Sequence, residues 1–194
     1  MSGTLSPRSG HFLVAPVPAR ADHGKDGWLM CQPAGHLDVV HMGERHLAVQ
    51  RHMVASPSSV WALIADFPNL ATHWPGLRGT RAVGHQRSGV GARRLVELKP
   101  IGSMEETVTA WEDGRRLATE NHPSPTLPFN RAAATLTLAP EDGGTVATFE
   151  YRYVPRGGPL GRFTGPLIDR MLTRTFSQML TAIEQAAVAK DAGR

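Results

Sequence analysis

Cysteine is almost missing from this chain: Cys31 is the only one among 194 residues. A single thiol excludes an intramolecular disulfide framework and any zinc site built from several cysteines, and it fits a reducing compartment, so a cytoplasmic location is expected. Lysine is nearly as scarce. Lys25, Lys99 and Lys190 are the full set, the other positive charges are dispersed arginines, and 21 basic against 17 acidic residues leave a net charge of +4. So small and scattered an excess is no electrostatic footprint for phosphates, and no nucleic-acid partner is expected. Also lacking is any apolar run of ~18 residues, which argues against a membrane-spanning helix and against stable membrane insertion. The sequence contains no G-x-S-x-G, no H-E-x-x-H and no Walker loop, and Gly89-x-Gly91 lacks the third glycine of a dinucleotide fingerprint. Hydrolase, metalloprotease and nucleotide-dependent chemistries thereby lose their main support. His36, His41, His46 and His52 are irregularly spaced, so neither a metal site nor a cofactor is expected.

What is present divides at about residue 45. Residues 1–45 hold four basic and four acidic side chains, six glycines and four prolines, with no sustained period. They read as a disordered extension, with Met30 and Met42 as alternative starts, and the apolar stretch Phe12–Val17 is too short and too proline-broken for a signal-peptide core. From His46 the pattern becomes regular. His46–Ala55 alternates as a strand, and Ser56-Pro57 then supplies an N-cap and a first-turn proline for a helix over Pro57–Ala65. A further short helix is expected over Asn69–His73. Six strands follow, at Arg78–His85, Gly91–Leu98, Met104–Trp111, Arg116–Asn121, Ala132–Ala139 and Thr145–Val154, separated by clusters such as Glu112-Asp113-Gly114. A helix from Pro159 to Ala189 closes the domain, its apolar residues stepping by three and four from Leu160 to Ala187, with a kink expected at Gly165-Pro166. Residues 190–194 read as a tail.

The order strand, two short helices, six strands, long amphipathic helix implies an α+β domain: a curved antiparallel sheet of seven strands around one helix, with room for a ligand between them. Ala55–Phe67 with its Ser-Pro helix start, His73-Trp74-Pro75-Gly76, Gly89–Arg94 and the strand opening at Gly144-Thr145 together resemble the START/Bet v-like (SRPBCC) superfamily. Within it, the polyketide cyclase/dehydrase and lipid-transport group is the most similar. The resemblance spans about residues 46–188. It implies a helix-grip fold and a small hydrophobic partner, and it leaves open whether the protein is a carrier, an aromatase/cyclase or dehydratase, or a filled-core interaction domain.

Strand alternation proposes which side chains face the cavity. On the last strand Thr145, Ala147, Phe149, Tyr151 and Tyr153 share the aromatic, inward face. On the strand before it Ala132, Ala134, Leu136 and Leu138 point inward, with Asn130 at the entrance. The third strand offers Ala92, Arg94, Val96 and Leu98, and the fourth Met104, Glu106, Val108 and Ala110. Arg94 and Glu106 then stand on neighbouring strands, where a charged pair in an apolar cavity serves either as a handle for a ligand carbonyl or hydroxyl or as a structural ion pair. A one-residue slip would instead turn Arg93, Glu97 and Glu105 inward. The candidate catalytic residues are Glu106, Arg94 and Tyr151. The candidate ligand contacts add Trp74, Val96, Val108, Asn130, Phe149, Tyr153 and, from the helix, Phe163, Leu167 and Met171. The resemblance also implies polar contacts from the Arg94 and Glu106 positions and a place for Trp74 at the cavity mouth.

Overall fold

The computed structural model describes residues 43–74, 76–157 and 161–193. The extension expected at the N-terminus therefore lies, up to residue 42, outside the described residues, as do Pro159 and Leu160. Seven strands form one antiparallel sheet: β1 (Arg45–Met53), β2 (Leu77–Val83), β3 (Arg93–Leu98), β4 (Ser103–Glu112), β5 (Arg116–Pro123), β6 (Phe129–Glu141) and β7 (Gly144–Pro155). Helix α1 (Pro57–Ile64) and a 3-10 helix (Phe67–Thr72) link β1 to β2, and α2 (Gly161–Ala192) closes the chain. The sheet order is β1-β7-β6-β5-β4-β3-β2, a meander whose last strand returns beside the first. This is the helix-grip architecture that the element order implies.

Local chemistry sets the ends of these elements. The Ser56 hydroxyl caps α1 by accepting the Ser59 amide at 3.2 Å, and Pro57 occupies the first turn, where no hydrogen bond is lost. The short helix begins at Phe67 and not at Asn69, because Asp66 ends in a backbone geometry outside the α region and Pro68 fits a first turn. At the β6–β7 hairpin, Gly144 lies against β1: a Cβ there would stand 2.0 Å from the Met53 carbonyl oxygen. Next to it the buried Thr145 hydroxyl donates to the Ala55 carbonyl at 2.8 Å. The Gly-Thr pair thus joins the β1–α1 corner to β7 by one close approach and one hydrogen bond.

Helix α2 is clamped by its three acidic residues. Asp169 accepts from Arg45 on β1 and from the Tyr153 hydroxyl on β7 at 2.6 Å. Glu184 takes Arg51 at 2.5 Å and the Val54 amide at 3.2 Å. Asp191 accepts the Ser56 amide at 3.1 Å and the Ser59 hydroxyl, which places a carboxylate at the positive end of α1. The helix passes through Pro166 and ends at Ala192, three residues beyond the expected end at Ala189.

Ile168, Leu172, Phe176, Met179, Leu180, Ile183 and Ala187 form the buried stripe of α2. Phe163 and Leu167 are not in it; both are about 70 % exposed, at 69 % and 73 %. At roughly 100° per residue, Phe163 and Leu167 fall about 140° and 180° round the helix from Phe176, on the side opposite the buried stripe. Met171 falls about 60° round from the buried Ile168, at the edge of the stripe, and is half-exposed.

Candidate functional site

Between the sheet and α2 lies a cavity of about 460 Å³, within the range of small-molecule sites. Its wall takes Ile64 from α1, Phe67, Leu70 and Trp74 from the segment that follows, and Leu98, Met104, Leu117, Phe129, Leu136 and Phe149 from the sheet. Leu172, Phe176, Met179 and Ile183 roof it from α2. Ile101 in the β3–β4 loop and Met171 on α2 also line it while staying 64 % and 50 % exposed, which places the mouth between that loop and the helix.

The polar residues of the cavity follow from strand register. Arg94 on β3 pairs with Glu106 on β4, Glu106 with Asn121 on β5, and Asn121 with Ala132 on β6. One row across the sheet therefore reads Arg94, Glu106, Asn121, Ala132, all on the concave face. The next row brings Thr119, Ala134 and Tyr151 together. Arg94, Glu106, Thr119, Asn121 and Tyr151 are all buried and all line the cavity.

Arg94 contacts Glu106 Oε2 through Nε at 2.7 Å and through Nη2 at 2.5 Å. Its Nη1 donates to the Phe67 carbonyl at 2.6 Å, and the guanidinium lies 3.9 Å from the centre of the Phe67 ring. All three guanidinium nitrogens are thus engaged, which satisfies a charge that would otherwise be costly to bury. Burial pushes the Tyr151 phenol well above its ordinary range and the Glu106 charge adds to this, while the neighbouring Asn121 side chain opposes it. Tyr151 consequently keeps its proton at neutral pH. Asn121 Oδ1 is different. It is the buried side-chain polar atom that has no hydrogen-bond partner among the described residues.

An aromatic cluster completes the wall. Phe176 of α2 sits 4.6 Å from Phe149, 4.8 Å from Tyr151 and 6.4 Å from Trp74, centroid to centroid. The Trp74 indole is buried beside Phe176 and does not stand at the mouth. Gly76 makes that seat possible, since a Cβ there would come 2.7 Å from Trp74 Nε1.

Among the expected site residues, the structure brings Trp74, Arg94, Glu106, Phe149, Tyr151 and Met171 to the cavity. The others lie elsewhere. Val96 and Val108 are fully buried core beneath the wall. Tyr153 is turned to Asp169 and to the Gly165 carbonyl, so its hydroxyl holds α2 to the sheet. Phe163 and Leu167 lie on the outer side of α2, as their angular positions require. Asn130 is exposed because a bulge between Phe129 and Arg131 shifts β6 by one residue at its start, turning Phe129 inward in its place. Thr119 and Asn121 were not anticipated, although counting by twos from the apolar Leu117 along β5 puts both on the inward face.

Among the described residues no group of three or more His, Cys, Asp or Glu side chains stands together as a metal-holding set, and no helix is long and apolar enough to cross a membrane. A family model described as polyketide cyclase/dehydrase and lipid transport matches residues 44–188. Solved structures with the same fold include TTHA0849 from Thermus thermophilus, at TM-score 0.64 and 19 % identity, covering 75 % of this chain and 99 % of that one. MLL2253 from Mesorhizobium loti is similar at TM-score 0.57 and 22 % identity, covering 73 % and 96 %, and Ara h 8.0201 at 0.62 and 11 %, covering 76 % and 99 %. A sequence comparison with curated proteins finds no match.

Proposed function

This chain belongs to the polyketide cyclase/dehydrase and lipid transport family, and from that premise we propose that it is a binding or carrier protein holding a small hydrophobic molecule, such as a lipid, polyketide or isoprenoid, between the sheet and α2. The observation that carries the reading is the cavity of about 460 Å³ with an aromatic and aliphatic wall and a few buried polar groups on one side. Apolar area would supply most of the affinity, and the polar groups would set orientation. The single-cysteine composition suits a cytoplasmic site of action.

Mass spectrometry of small molecules released from the purified, denatured protein tests this, with Met171→Trp run beside it. Met171 is half-exposed at the mouth, so a tryptophan there should obstruct entry without disturbing packing. The expected result is a stoichiometric apolar compound from the native protein and little from the variant. Equal amounts of the compound from both would mean that the ligand does not enter here.

A second reading, an aromatase/cyclase or dehydratase, draws on the same polar cluster. There Glu106 would move a proton while Arg94 and Tyr151 polarise substrate carbonyls, with orientation in the cavity supplying much of the rate. The full engagement of the Arg94 guanidinium by Glu106 and Phe67 favours the carrier. Glu106→Gln separates the two: a carrier keeps its apolar affinity within a few-fold, whereas turnover by a cyclase falls about a hundred-fold or more.

A further inference from the structure

Resting on the cavity reading above, we infer that the mouth of the cavity is a docking face for an anionic lipid bilayer, through which the apolar ligand passes without crossing water. The face is built on α2. Leu167, Arg170, Met171, Arg174 and Gln178 are linked by steps of three and four, so their side chains form one continuous strip. Met171 and Gln178 line the cavity, and the strip therefore borders its mouth.

The charge on this face is of one sign. Arg170 and Arg174 are exposed, and neither joins an ion pair with any described residue. Arg45, Arg51 and Arg93, by contrast, each meet a carboxylate. Across the mouth, Lys99 lines the cavity, Arg78 donates to the Pro100 carbonyl at 2.7 Å, and Arg156 donates to the Leu127 carbonyl at 3.2 Å. Bonds to backbone carbonyls hold these two guanidinium groups in place and leave their charge intact. Residues 99–102, 124–128 and 167–178, which frame the opening, contain one acidic side chain, Asp169, and Arg45 and Tyr153 occupy it. The cations are scattered along the sequence, and the fold gathers them round one opening.

Between the cations stand apolar side chains: Ile101, Leu167 and Met171 are 64 %, 73 % and 50 % exposed. An acidic polypeptide would answer the charges and leave these three in water. A bilayer answers both, since the arginines stay at the phosphates while the apolar tips reach the acyl boundary. No helix of the described residues is long and apolar enough to span a membrane, so the docking is peripheral and reversible.

Flotation of the full chain with phosphatidylcholine vesicles, with and without about 30 mol % phosphatidylglycerol, tests this. Binding to the anionic vesicles is expected to be at least about tenfold stronger, and to weaken when salt is raised from about 0.1 to 0.5 M. Arg170→Gln with Arg174→Gln should reduce it at least about tenfold, and Leu167→Ser about threefold. These exposed residues do not line the cavity, so the variants should still bind the apolar fluorophore N-phenyl-1-naphthylamine as the native protein does. Equal binding to both vesicle types, absence of vesicle binding, or binding unchanged by the three substitutions overturns the inference, and retained fluorophore binding then leaves the cavity reading standing. Binding to poly-L-glutamate without binding to vesicles assigns the face to an acidic protein and also overturns it. Vesicle binding without fluorophore binding overturns the cavity reading, and with it the claim that the docked face is a ligand entrance.

Discussion

Replacing Arg94 by methionine keeps much of the side-chain volume and removes the charge that holds Glu106. The Glu106 carboxylate then stays in a pocket where it is 10 % exposed, having lost contacts at 2.7 and 2.5 Å. Breaking one side of a buried pair costs about 3–5 kcal/mol, because the remaining charge is uncompensated. Glu106 borders the open space of the cavity, into which its side chain can turn, and this places Arg94→Met in the lower half of that range. Glu106→Leu should cost about 2–3 kcal/mol, since Arg94 keeps the Phe67 carbonyl at 2.6 Å and the ring at 3.9 Å. In the double variant no charge is stranded, and apolar replacement of a whole pair is often close to neutral. Its cost should therefore be only about 1–2 kcal/mol, a coupling of roughly 3 kcal/mol or more between the two sites. Urea unfolding of the four proteins measures this, with the slope against denaturant checked for constancy. Heating should show the Arg94→Met midpoint down by roughly 6–16 °C for a domain of this size, and high salt should change the coupling little, because the pair is shielded from solvent. Coupling below about 0.5 kcal/mol, the behaviour of independent sites, would refute the claim that these charges are buried against each other.

Two further predictions concern the frame around the cavity. Hydrogen bonds from Arg45 and Tyr153 hold the Asp169 carboxyl below its ordinary value of 3.8, so its contribution to stability is complete above that pH and disappears as pH falls through the lower folded value. Asp169→Asn should thus cost about 1–2 kcal/mol near pH 7 and progressively less below about pH 4; a difference in melting temperature that stays constant down to pH 2 would contradict this. Gly144→Ala forces a Cβ to within 2.0 Å of the Met53 carbonyl oxygen, backbone against backbone, and should cost at least about 2 kcal/mol by urea unfolding. A cost under about 0.5 kcal/mol would show that the β1–β7 corner is not closely packed there.

The sequence by itself determined the order of the elements and the inward face of most strands. Period two over Arg94–Leu98 and Met104–Val108 favours Arg94 and Glu106 on the inner side, since a one-residue slip would expose Val96 and Val108, and the observed register decides against the slip that would turn Arg93, Glu97 and Glu105 inward. Ser56-Pro57 marks a helix start through the capping hydroxyl and the missing amide hydrogen, both local properties. Tertiary structure decided the rest. Whether Tyr153 meets a ligand or a carboxylate depends on where Asp169 of α2 comes to lie, a relation across 16 residues that no pattern within β7 contains. Phe163 and Leu167 step by four like the buried residues but lie across the helix from Phe176, and the docking of α2 by Asp169, Glu184 and Asp191 holds the Phe176 arc against the sheet. Asn130 loses its inward place to Phe129 through one bulge, which turns on the pairing of β6 with β7 and not on β6 alone. Asn121 is an ordinary strand asparagine in the sequence. Its place beside Glu106 and Arg94 arises only because three strands align the three residues in one row, a relation between strands that no single strand contains.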